Sequence, residues 1–122
     1  MRYAEVEKFC LSLPSATLSI QWGDAHVYKV GGKMFAVLGP PKDKPHGLSF
    51  KAGEASFHIL IQSPHIIPAP YLARAQWVRL ERLDALTTKE LKAYLTRAHA
   101  PVAMGLSKKR RTALGIEDAA DA

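Results

Sequence analysis

A single cysteine, Cys10, stands in the 122-residue chain, so no internal disulfide can staple the fold and a reducing compartment suits it. No apolar run approaches the roughly 18 residues that a membrane-spanning helix needs. The opening Met1-Arg2-Tyr3-Ala4-Glu5-Val6-Glu7 puts acids where the apolar stretch of a signal peptide would begin. We therefore expect a cytoplasmic protein without a membrane partner. Acidic residues number 11 and are scattered, so no carboxylate pair is spaced for acid–base work. Without a second cysteine, and with His26, His46, His58, His65 and His99 outside metal-ligand spacing, no metal site is expected. Neither a nucleophile elbow, a Walker loop nor a dinucleotide fingerprint is present. Gly31-Gly32-Lys33 resembles a phosphate loop only at first glance, because it joins two strands rather than a strand and a helix. These absences lead us to expect no catalytic residue, no cofactor and no enzyme.

What is present is one ordinary domain's worth of chain. Its formal net charge is +6, and the charge is unevenly spread. Residues 26–51 carry five lysines (Lys29, Lys33, Lys42, Lys44, Lys51) against Asp43, a sum of +4. Residues 97–111 carry Arg97, Lys108, Lys109, Arg110 and Arg111 with no acid, a sum of +5. The last eleven residues carry only Glu117, Asp118 and Asp121, a sum of −3. Two basic stretches sharing a face would favour a polyanion.

Apolar spacing at Val6, Phe9, Cys10 and Leu13 predicts a helix over 3–13, ended by Pro14. A first strand is expected over 17–22, with Gly23-Asp24 turning the chain. Strands 26–30 and 33–38 should pair across Gly31-Gly32, whose glycines tolerate the positive φ of a type I′ turn. That register sets Tyr28 opposite Phe35 and Lys29 opposite Met34. The proline-rich stretch 39–47 is a loop, 48–51 a strand, and 53–62 a helix with Phe57, Leu60 and Ile61 inward. Residues 63–70 should lie extended and apolar across the domain, and 76–83 should form a strand. Thr87 and Glu90 form a capping box for a third helix through Leu91, Tyr94, Leu95 and Ala98. Pro101 should interrupt or kink it, with a fourth helical stretch from Val102 into Lys108–Arg111. The order argues an α+β class: one antiparallel sheet of about five strands, helices on one face, a domain over 1–111 and a flexible tail over 112–122.

Several words of this chain resemble the MmcQ/YjbR family of small bacterial proteins. They are Trp22-Gly23-Asp24, Tyr28-Lys29-Val30-Gly31-Gly32-Lys33-Met34-Phe35-Ala36, Leu48-Ser49-Phe50-Lys51, Ile67-Pro68-Ala69-Pro70-Tyr71-Leu72, Trp77 and Leu106-Ser107-Lys108-Lys109. The opening Leu11-Ser12-Leu13-Pro14 fits as well, so the resemblance spans roughly residues 3–111. It implies a CyaY/frataxin-like fold and a DNA-binding role built on a double wing of β-hairpins, with no defining catalytic residues.

Three functions follow for weighing. Double-stranded DNA would be held by Lys29, Lys33, Lys42, Lys44, Lys51, Arg79, Arg82, Lys108, Lys109, Arg110 and Arg111, giving salt-dependent affinity without sequence reading. The Gly31-Gly32 turn and the 39–47 loop lie at opposite ends of one strand, about 17–20 Å apart, so one groove cannot easily take both. A small molecule or protein partner would instead use an aromatic-lined pocket drawn from Trp22, Asp24, Tyr28, Tyr71 and Trp77. Iron carriage, suggested by the frataxin-like fold, needs an acidic surface, and the first helix offers only Glu5 and Glu7 against Lys8. DNA binding by a monomer ranks first.

Overall fold

A computed structural model describes residues 1–116. Helix α1 (Tyr3–Ser12) leads into strands β1 (Ala16–Gln21), β2 (Ala25–Val30), β3 (Lys33–Leu38) and β4 (Leu48–Lys51). Helix α2 (Glu54–Leu60), strands β5 (Ile66–Pro68) and β6 (Trp77–Leu80), and helices α3 (Thr88–Met104) and α4 (Lys108–Ala113) complete the chain. The strands form one antiparallel sheet of six, in the order β1-β2-β3-β4-β6-β5. Helix α3 packs on β2, β3 and β4, α1 on β1, and α2 on β5 and β6. The class is the expected α+β with helices on one face, with one more strand than expected. The sixth is β5: Ile66 to Pro68, expected as an extended crossing segment, pairs with β6 as the sheet's edge. Pro68 is tolerated there because an edge strand has one side without a ladder partner.

Period-two alternation sorts the strands into two faces. Tyr28, Val30, Ala36, Leu38, Leu48, Phe50, Val78 and Leu80 point to the helices and have no exposed surface. The β2–β3 hairpin turns on Gly31 and Gly32 with φ of 59° and 81°, both positive as a type I′ turn requires. Lys29 does sit opposite Met34, but Tyr28 faces Ala36 rather than Phe35. Phe35 is the extra residue of a β-bulge, and this lets the consecutive Phe35 and Ala36 both be fully buried. The Phe35 ring meets the His99 ring of α3 edge-on at 5.2 Å.

Thr87 and Glu90 form the expected capping box at the start of α3. Pro101 does not end this helix, which continues to Met104. Proline removes one backbone donor, and the buried Ala98, Val102 and Ala103 hold the helix on the sheet across that gap. The fourth helical stretch accordingly begins not at Val102 but after a break at residues 105–107, where Ser107 caps α4 by accepting from the Arg110 N–H at 3.2 Å. The boundary drawn at residue 111 falls inside α4. Leu114 and Ile116 pack on the core, and the Ser15 hydroxyl donates to the Leu114 carbonyl at 2.8 Å, so the domain reaches at least residue 116. The rest of the expected tail, 117–122, lies outside the described residues. No helix among the described residues is long and apolar enough to cross a membrane.

Candidate functional site

The structure places ten of the eleven expected cationic contacts at two ends of the sheet and the other, Arg79, in a groove on its open face. At the end marked by the Gly31-Gly32 turn, α4 docks onto the hairpin. Leu106 packs so closely that a Cβ on Gly31 would lie 2.5 Å from its Cδ1. The Arg110 guanidinium donates to the Gly31 carbonyl at 3.0 Å. This contact brings the two basic stretches together, placing Lys108 and Lys109 beside the hairpin that carries Lys33, all three exposed. Lys29 and Lys51 belong to the same end: Lys29 pairs with Met34 one rung from the turn, and Lys51 pairs with Trp77 at the start of β6. Both project from the face without helices, straddling Met34 two strand spacings apart, about 10 Å.

The opposite end is electrically mixed. The Lys42 ammonium lies 4.0 Å from Asp24. Arg82 holds Asp84 through two hydrogen bonds of 2.5 and 2.8 Å. Those bonds raise the Arg82 guanidinium and keep the Asp84 carboxyl below its ordinary range. Arg2 pairs with Glu5 likewise. An open cleft of about 530 Å³ lies here, lined by Arg2, Tyr3, His46 and Arg82, but both of its arginines already have carboxylate partners. Lys44 is exposed on the same loop. Arg111 is structural: it donates to the carbonyls of Met104 at 3.0 Å and Leu106 at 2.7 Å, satisfying the end of α3.

The expected pocket residues separate as well. Tyr28 lies on the covered face, where its hydroxyl donates to Glu7 at 3.1 Å and Glu7 also meets His26 Nδ1 at 2.5 Å. Burial first, then the charge of Glu7, pushes the Tyr28 phenol far above its ordinary range. Trp77 is 4% exposed and packed away, and Asp24 sits at the exposed β1–β2 turn. Trp22 and Tyr71, 65% and 103% exposed, remain together at the rim of a groove of about 440 Å³ on the open face. Met34 and Val37 form its floor, Pro70 and Leu72 one wall, and Ser49 and Arg79 its polar edge. Trp22 and Tyr71 both hold left-handed backbone, φ 48° and 66°, which costs on the order of 1 kcal/mol for each such residue. Sequence reasoning missed Ser49 and overlooked Arg79 as a groove residue. The signal was available in Leu48-Ser49-Phe50-Lys51, where alternation turns a small hydroxyl away from the core. Among the described residues no group of three His, Cys, Asp or Glu side chains is placed to hold a metal.

Comparison with known proteins places this geometry. A Deinococcus radiodurans protein with a DUF419 domain superposes with a TM-score of 0.82 at 24% identity, over 94% of this chain and 88% of that one. A Pseudomonas syringae protein superposes with a TM-score of 0.69 at 18% identity, over 84% of this chain and 99% of that one. At these identities the likeness is one of fold. No curated protein matches the sequence. The YjbR family model matches residues 11–100, and this chain therefore belongs to the YjbR family.

Proposed function

We propose that the domain is a cytoplasmic DNA-binding monomer without catalytic activity, and that it grips the phosphate backbone with one end of its sheet. The observation that supports this reading is the Arg110–Gly31 hydrogen bond, which joins α4 to the β2–β3 hairpin. It gathers Lys33, Lys108 and Lys109 at one end, with Lys29 and Lys51 behind them on the open face. Lysines on a hairpin and a helix present mobile point charges suited to phosphate and carry no base-edge fork, so binding is sequence-tolerant. Only one hairpin acts as a wing. The 39–47 loop lies at the far end of β3, where Asp24 pairs with Lys42 and Asp84 with Arg82.

The test is fluorescence anisotropy of a labelled random-sequence duplex at several salt concentrations. Binding should weaken linearly with log salt, by about 0.9 in slope for each phosphate neutralised. A combined Lys33→Ala, Lys108→Ala, Lys109→Ala variant should flatten the slope, and a Lys42→Ala, Lys44→Ala variant should leave it alone. Arg110 and Arg111 are left intact because both hold the fold together. Absence of binding at low salt, or equal effects of the two variants, would overturn the reading.

A further inference from the structure

The open-face groove has a chemistry that the basic end lacks. Ser49 on β4 and Arg79 on β6 are direct cross-strand partners, and both line the groove. Ser49 is 8% exposed as a residue, and its hydroxyl, which reaches the groove surface, makes no hydrogen bond among the described residues. The Arg79 guanidinium makes no ion pair or hydrogen bond among the described residues either. Its guanidinium lies over Gly47, where an added Cβ would overlap Nη2. A side chain on residue 47 would displace the guanidinium from this position.

Around this pair the surface is apolar. Met34 and Val37 floor the groove, and the Trp22 and Tyr71 rings stand exposed at its rim on left-handed backbone. A guanidinium offers a planar fork that matches a carboxylate at two points, and the adjacent hydroxyl supplies a third donor. One cation lines the groove, which suits a monoanion rather than a dianionic phosphate. An apolar floor with aromatic rims suits a flat ring.

We propose that this groove is a binding site for a small aromatic carboxylate, with Arg79 and Ser49 receiving the carboxylate and Met34, Val37, Trp22 and Tyr71 enclosing the ring. The site lies on the open face next to Lys29 and Lys51, and its own lining residues are distinct from the lysines proposed to grip DNA.

The experiment is an amide and side-chain NMR titration of the whole chain with 2-naphthoate, with 2-naphthylmethanol as the neutral ring and acetate as the bare anion. Naphthoate should shift the Ser49 amide, the Trp22 indole and the Arg79 Nε signals with a Kd of about 1 mM or below, as its size allows. The neutral ring and acetate should each bind at least about tenfold more weakly. Arg79→Gln removes the charge, and Gly47→Ala keeps the charge but moves it; each should weaken naphthoate by about tenfold or more. Equal affinity for naphthoate and naphthylmethanol would overturn the proposal. So would naphthoate binding that survives both substitutions, or no shifts at these residues.

Discussion

The two faces of the sheet handle polar groups in opposite ways. On the helix-covered face the polar side chains that enter the core find partners there. Tyr28 and His26 converge on Glu7, and His99 bonds the Pro14 carbonyl at 2.7 Å. Cys10 is buried with them, and burial, helped by the charge of Glu7, pushes its thiol up to about 12, so it stays neutral and inert at physiological pH. On the open face Ser49 is almost as buried and Arg79 half-buried, yet neither has a partner among the described residues. The covered face is organised to fold, whereas the open face keeps unused bonding capacity. A donor that reaches the surface without a protein partner contributes little to folding and can exchange water for a ligand's acceptor, at a net gain of about 0.5–1.5 kcal/mol.

The contrast can be broken where it is largest. Phe50→Ala, deep on the covered face, should cost about 3–5 kcal/mol by urea denaturation. A loss below about 1.5 kcal/mol would mean the face repacks freely. Gly31→Ala comes next. It pays for left-handed backbone and also meets Leu106, so about 2–3 kcal/mol is expected, against about 1 kcal/mol for Gly32→Ala, which meets only the Arg110 tip at 3.9 Å. Equal costs would show that α4 does not bear on the hairpin. Tyr28→Phe removes one hydrogen bond from a partly solvated carboxylate, and about 1 kcal/mol should be lost. The smallest effect sharpens the comparison most. Ser49→Ala should leave stability within about 0.5 kcal/mol of the parent, because no bond within the described residues is lost. A cost well above that in thermal or urea unfolding would reveal a hidden partner for the hydroxyl and remove it from the groove's chemistry.

The covered face was largely legible in the sequence because its signals are local. Two adjacent glycines announced the hairpin, Thr87 and Glu90 the start of α3, and apolar spacing the first helix. Three features escaped for physical reasons. The bulge at Phe35 changes the pairing count without changing composition, so the Tyr28 partner was misjudged by one residue. Strand β5 spans only three residues among prolines, too short for a periodic pattern. Pro101 does not interrupt its helix, which tertiary packing carries on to Met104. The groove draws on the β1–β2 turn, three strands and the segment after β5, so its membership depends on strand order, and no local motif encodes it. Whether the two basic stretches met was likewise a question of topology, answered by the docking of α4 on the hairpin.

The two tryptophans have a practical consequence. Trp77 is sealed within the sheet at 4% exposure, while Trp22 stands in solvent at 65%. Their emission should therefore separate by wavelength and by access to a dissolved quencher. Iodide should extinguish the red-shifted Trp22 fraction alone in the native protein, and the blue-shifted Trp77 fraction should become quenchable only as the sheet opens. The chain thus contains two independent optical gauges, one for the rim of the groove and one for the integrity of the fold, without any added label.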